Sequence, residues 1–337
     1  MNKRTLSVSR RALLGAAATQ AVTGLLPAQA FAAAEQDWPT RPVKIVIAVG
    51  PGSSSDTLAR IIAPRLEMIW KQPVIIENKP GAGGIIGTEY AVSATDNHTF
   101  LLASQSSFLP KFTKKDLKSD PFVDLIPVYR MIEYQIVVVT NGETAKQART
   151  FMDIVNLSKA KEQGLFFSGT GRTTIFNITM ALVNKPFGLK YTAVDFNNVG
   201  AMNLAVMRND AQLLVNTPSS VRAHFDTGTL VPILAVSKQR YADLPNVPAV
   251  GELPGFQGYL PVVWNGMMAP KGTPLYIVER VARDLQFVLH TSDVKKQIET
   301  QLTGLVQRSS PSALAKDLRE EAQVWKDLFA SMNVKPE

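Results

Sequence analysis

The 337-residue chain has no cysteine and only three histidines. Without thiols it forms no disulfide, no thiolate nucleophile and no cysteine-ligated metal centre. His98, His224 and His290 fall in a turn, on a helix and at a helix end, and no H-E-x-x-H pair or G-x-S-x-G elbow accompanies them. Structural or solvated roles suit these imidazoles better than catalysis or metal ligation. Basic runs interleaved with aromatics are missing as well, which argues against nucleic acid as a partner. The phosphate-loop spacing G-x-x-x-x-G-K-[ST] does not occur, and "GPGSSSD" lacks the third glycine of G-x-G-x-x-G, so nothing points to a nucleotide.

What is present begins with an export signal. Lys3, Arg4, Arg10 and Arg11 precede an apolar, Ala-rich stretch from Ala12 to Leu26 that ends in small residues. The stretch is too short for a comfortable transmembrane span and is followed by Pro27. The twin arginines of "SVSRRALLG" point to the Tat route, with Leu13 where phenylalanine is usual. Residues 1–33 therefore read as a Tat-type signal peptide of a periplasmic protein, cleaved after Ala30 or Ala32. Its removal leaves 32 Lys and Arg against 28 Asp and Glu, about +4 in place of the formal +8. With 45% hydrophobic and 19% charged residues, the remainder can bury a core.

After "DWPTRPV", apolar strand-like runs alternate with helical ones. "VKIVIAV" is continuously apolar and β-branched, as a strand covered on both faces is. Leu58, Ile61, Ile62, Leu66, Ile69 and Trp70 recur at helical spacing, with a kink expected at Pro64. "PVIIEN", "GGIIGTEYAVSA" and "TFLLAS" continue a βαβαβ pattern that predicts a parallel sheet. The pattern restarts at "IVVVTN", with helices at about 150–162, 174–184 and 198–208 and another from Pro218, alternating with further strands. Helices at about 274–290, 293–302 and 312–331 close the chain. Extended stretches near 132–140 and 258–268 read as crossings between two α/β units. The expected division is a discontinuous first domain, 34–135 with 262–337, and a second domain, 136–261.

Ligands of open α/β sheets sit beyond the carboxyl ends of the strands. "GPGSSSD" occupies such a position. Gly52 allows close backbone approach, Ser53, Ser54 and Ser55 offer hydroxyls, and the helix that follows presents N–H groups and a positive dipole end. An ordinary turn in which Asp56 caps the helix is the competing reading. "LFFSGTGRTTIFN" repeats the chemistry with Ser168, Gly169, Thr170, Gly171, Arg172 and Thr173, and "LLVNTPSS" ends its strand at Asn216 and Thr217. Arg172 is suited to a charge-assisted bond with a carboxylate, although loop arginines are often simply solvated. Tyr134 and Trp264, at the crossings, are candidates to line a cleft.

Several stretches resemble one family, the periplasmic solute-binding proteins of tripartite tricarboxylate transporters, also called Bug proteins. They are "WPTRPVKIVIAVGPGSSSDTLAR", "QPVIIENKPGAGGIIGTE", "TFLLAS", "LPNVPAVGELPGF" and "MMAPKGTP", in that order. The resemblance implies a two-domain, type II periplasmic-binding-protein (Venus-flytrap) fold with a ligand cleft between the domains. It implies no catalysis and no cofactor or metal, and a monomer that delivers a small carboxylate to inner-membrane transporter subunits. A receptor presenting its closed form to a signalling partner is the alternative. Carried over by position, the site gains Ser104 and Ser106 after the third strand and Asn198 in the second domain. Arg172 and Ile175 stand where the family usually has a small hydroxyl residue and a histidine, Asn197 and Asn198 where Lys and Gly are common, and Gln212 and Asn216 where aspartates are frequent. Fewer carboxylates and an added arginine lead to the expectation of a dicarboxylate or aromatic carboxylate ligand.

Overall fold

The computed structural model describes residues 37–171, 174–196, 198–331, 333–334 and 336. The expected signal segment lies outside them, as do Arg172, Thr173 and Asn197. The strands in chain order are β1 (Val43–Ile47), β2 (Val74–Asn78), β3 (Thr99–Ala103), β4 (Leu125–Tyr134), β5 (Val137–Asn141) and β6 (Leu165–Gly169). They continue with β7 (Tyr191–Asp195), β8 (Leu213–Asn216), β9 (Leu230–Ala235), β10 (Val263–Pro270) and β11 (Gly304–Val306).

These strands form two sheets, one of order β11-β4-β10-β3-β1-β2 and one of order β7-β6-β8-β5-β9. The parallel expectation holds for β2, β1 and β3 and for β7, β6 and β8. It gives way beside the crossings, where β10 pairs antiparallel with β3 and β4, β11 with β4, and β5 with β8 and β9. The reason is topological. A parallel neighbour in the same sheet is reached by a helical crossover, whereas β5 and β10, which enter straight from the other sheet, come in reversed, and β4 and β9, by which the chain leaves, keep the direction of the parallel set. The chain leaves the first sheet after Tyr134, joins the second at Val137, and returns to the first at Val263.

Local sequence explains the layers on the first sheet. The helix Ser54–Trp70 buries Leu58, Ile62, Leu66 and Trp70, four positions at a four-residue repeat, and continues through the exposed Pro64. The helices Leu275–Leu289 and Pro311–Ser331 pack on β4, and Ser292–Leu302 packs beside β11. The helix Pro311–Ser331 is fastened by a buried charge. Arg130 on β4, 8% exposed, donates to Glu321 at 2.6 Å and to Glu133 at 3.0 Å. Trp264 of β10, fully buried, donates its indole N–H to the same Glu321 carboxylate at 3.0 Å, and the guanidinium lies over its ring.

Further along that helix, Trp325 and Phe329 join Leu109 and Ile178 in one apolar cluster. Ile178 belongs to the helix Ile175–Asn184, which follows β6, so this cluster spans the two sheets' surroundings. Breaking a buried ion pair leaves one charge without compensation, which costs about 3–5 kcal/mol. Arg130→Ala and Glu321→Ala are each expected to lower unfolding stability by about that amount. The double substitution should lose clearly less than the sum of the two. Urea denaturation of residues 34–337 measures all three.

Candidate functional site

The first hydroxyl loop is largely occupied with starting its own helix. Ser53 is the N-cap, in extended backbone, and its Oγ accepts the Asp56 N–H at 3.2 Å. Asp56 turns back to accept the Gly52 N–H at 2.9 Å and holds Arg60 through two bonds of 3.0 Å. Gly52 has φ 77°, a conformation that favours glycine. Burial raises the Asp56 carboxyl, but Arg60 and the Gly52 N–H outweigh it and hold the group below the usual carboxylate range. Ser55 faces inward, where its Oγ accepts from the Asn265 amide at 3.0 Å. Ser54 is half-buried.

The next two turns approach each other closely. Ala82, Gly83 and Gly84 all have positive φ, and a Cβ on Gly84 would lie 2.9 Å from the Ser106 carbonyl oxygen. Only glycine allows that approach. Ser104 and Ser106 share a hydroxyl–hydroxyl bond of 2.9 Å. Gln105 between them is buried and donates to the Val262 carbonyl at 2.5 Å. The Ser107 hydroxyl is buried with no hydrogen-bond partner among the described residues.

In the second sheet the loop after β6 is shaped by two residues that sequence reasoning missed. Asn177 accepts the Thr170 N–H at 3.2 Å and donates to Asp195 at 3.3 Å, while Asp195 accepts the Gly171 N–H at 3.0 Å. A Cβ on Gly169 would collide with the Asn177 amide. The signal available in sequence was slight: a polar residue three positions into a helix, and an aspartate at the end of the neighbouring strand. Thr170 reaches Thr174 through their hydroxyls at 3.3 Å.

Other expected site residues are committed to the scaffold. Ser168 is fully buried and donates to the Met202 carbonyl at 2.9 Å. Asn198 caps the helix Val199–Met207 by accepting the Ala201 N–H. Asn216 is buried, donates to Asn203 at 2.9 Å and accepts the Thr217 N–H at 2.8 Å, and the Thr217 hydroxyl bonds Ser219 and Ser220. Tyr134 and Trp264, candidates to line a cleft, are packed into the core. Both are buried, Trp264 against Glu321 and Tyr134 donating to Asn265 Oδ1 at 2.5 Å, because each faces the core from the strand beside the crossing.

Loops of the two sheets meet around a cavity of about 410 Å³, within the range of small-molecule sites. Ala82, Gly83, Ile85, Ser106, Leu109 and Pro110 line one side with Thr113 and Lys114. Thr170, Gly171, Thr174 and Ile175 line the other. Of the residues expected from sequence, the fold brings Ser106, Thr170 and Gly171 together here, while residues 52–56, Ser104, Ser168, Gly169, Asn198, Asn216 and Thr217 are not among its described lining. Its described walls mix hydroxyls, backbone and aliphatic carbons with one lysine and no carboxylate, a surface suited to an anion with an apolar body.

A family model described as the tripartite tricarboxylate transporter family receptor matches residues 58–333. The chain is similar to Protein BugT of Bordetella pertussis, at 27% identity over 90% of this chain and 94% of that protein. Among solved structures it is similar to the periplasmic binding protein BugD, with a TM-score of 0.77 at 21% identity, covering 89% of this chain and 100% of that one. It is also similar to MatC from Rhodopseudomonas palustris, solved with bound malate, with a TM-score of 0.74 at 25% identity over 86% of this chain and 99% of that one.

The capping arrangement at Asp56 gives a pH-dependent expectation. Asp56→Ala, which removes the acceptor of the Gly52 N–H and the partner of Arg60, should cost about 1 kcal/mol at pH 7, and Asp56→Asn less. Because the folded-state pKa is depressed, the wild-type advantage is complete well above the ordinary value of 3.8 and disappears as pH falls below it. Chemical denaturation of the wild type and both variants between pH 7 and pH 3 measures the difference.

Proposed function

The chain belongs to the tripartite tricarboxylate transporter receptor family, and from that premise we propose that it is a periplasmic solute-binding protein that captures a dicarboxylate or aromatic carboxylate. It passes this ligand to the inner-membrane subunits of its transporter without altering it chemically. The observation that carries the ligand class is the cavity between the loops of the two sheets, whose described lining offers hydroxyls, backbone groups and aliphatic carbons but no carboxylate. The malate bound by MatC supports the same class.

In this reading residues 34–135 with 262–337 form one lobe and 136–261 the other, and they close on the ligand as a monomer. The Ser106 and Thr170 hydroxyls hold one carboxyl group; Arg172, assigned from sequence, holds the second. Ile85, Leu109 and Ile175 cover the carbon skeleton. Of the remaining hydroxyls proposed from sequence, those of Ser53, Ser54, Ser55 and Ser104 support the loops around the cavity. Export of the folded protein by the Tat route completes the proposal.

Thermal-shift screening of residues 34–337 against mono-, di- and tricarboxylates, aromatic acids and amino acids tests it. A ligand at 100 times its dissociation constant stabilises the protein by about 2.7 kcal/mol. A dicarboxylate or aromatic acid is expected to raise the melting midpoint and to be recovered unchanged after incubation. Arg172→Ala and Thr170→Val should each weaken its binding at least tenfold by calorimetry, consistent with loss of a bond to a charged group worth about 1.5–3 kcal/mol. Binding only of neutral or cationic solutes, or conversion of the ligand, would refute the reading.

A further inference from the structure

A second cavity, of about 460 Å³, lies away from the ligand cavity and shares none of its lining. Its walls are Arg283, Gln286, Phe287, His290, Thr291 and Arg308. The helix Leu275–Leu289 turns Ile277, Val281, Leu285 and Val288 toward the first sheet. Tyr276, Arg280, Arg283, Phe287 and His290 follow one another at spacings of four and three, which places them on one stripe. Phe287 is 66% exposed and Tyr276 41%, and Leu305 on the neighbouring edge strand β11 is 51% exposed.

Single exposed apolar residues are ordinary on a soluble surface. The combination here is different, because the two arginines beside Phe287 hold no carboxylate among the described residues. Among the other described arginines, Arg41, Arg60, Arg65, Arg130, Arg222, Arg240 and Arg280 hold one, while Arg149, Arg208 and Arg319 stand singly without one and outside this cavity. Two guanidinium groups without counter-charges, in one cavity with an exposed aromatic ring, are the residue types that carry binding energy at protein interfaces.

We propose that this cavity docks a protein segment bearing two carboxylates beside an apolar side chain, supplied by a membrane component of the transporter. The inference rests on the transport reading and adds to it the surface and the chemistry of its partner. Charge complementarity favours a protein segment over a lipid surface. Anionic membranes recruit clusters of about four to eight basic residues, and here a concave site offers two arginines with Glu279 on the same helix.

The test uses cells lacking this gene, complemented with the full-length protein or its variants, and labelled carboxylate taken from the binding screen. Arg283→Glu with Arg308→Glu is expected to lower uptake at least tenfold while leaving the ligand dissociation constant and melting midpoint of the purified protein unchanged. Phe287→Ala should lower uptake several-fold, and Arg283→Lys with Arg308→Lys should retain most of it. Second-site revertants of the charge reversal should carry acidic-to-basic changes in a membrane subunit. Full uptake by the charge-reversed protein would overturn the proposal, as would a parallel loss of ligand affinity. So would pelleting of the wild type, but not of the charge-reversed protein, with phosphatidylglycerol vesicles, which would make lipid the occupant. If the wild type itself supports no uptake, the transport reading fails and this inference with it. If the wild type transports and the charge-reversed protein does so equally well, only this inference fails.

Discussion

One buried amide joins the parts of the first sheet that point toward the site. Asn265, 1% exposed, donates to Ser55 at 3.0 Å and to the Ala103 carbonyl at 3.1 Å, and accepts from Tyr134 at 2.5 Å. Those partners are the start of the first long helix, the end of β3, and the last residue of β4 before the chain crosses. A register shift between Asn265 and Gly266 accompanies this placement, and such a bulge re-aims a side chain out of simple alternation. Unmatched polar groups at this depth would be costly, so the three bonds fix the relation of the crossing strand to the loops that begin beside it.

The crossing is held equally firmly on the side of the second sheet. Tyr241 accepts the Ile136 N–H at 3.0 Å with its hydroxyl, and Gln135 donates to Asp243 at 3.0 Å. Between these anchors the chain passes from Tyr134 to Val137 in two residues, so any change in the angle between the sheets must be absorbed over a very short span. The apolar cluster of Leu109, Ile178, Trp325 and Phe329 provides a second connection. Leu109 belongs to that cluster and also lines the cavity between the loops of the two sheets, and Ile175 packs against the one while lining the other. Contacts made in the cavity are therefore contiguous with the packing of the C-terminal helix.

The capping chemistry separates hydroxyls that shape loops from those that face the cavity. Ser53, Ser168, Asn198 and Thr217 all belong to the residue types that satisfy orphan backbone groups at helix starts and strand ends, and in each case a protein partner takes the bond. Ser106 and Thr170 carry the same chemistry, but their loops are turned toward one another across the cavity. Residue type alone does not distinguish these two situations, because a hydroxyl next to a helix serves either purpose.

By itself the sequence determined the order of strands and helices, since the apolar periodicity of segments such as 43–47, 54–70 and 275–289 is written locally. It also determined that the loops beyond strand ends are rich in hydroxyls and poor in acid, and that the motifs of the chain match one family of receptors. Tertiary structure alone decided that the crossing strands run antiparallel, that Tyr134 and Trp264 are buried, and that Asn177 and Asp195 shape the loop after β6. The physical reason is distance along the chain. Ser55 and Asn265 are 210 residues apart in sequence, and Arg130 and Glu321 are 191 apart. A hydrogen-bond partner brought in from that far leaves no periodic trace, so only the folded chain identifies it.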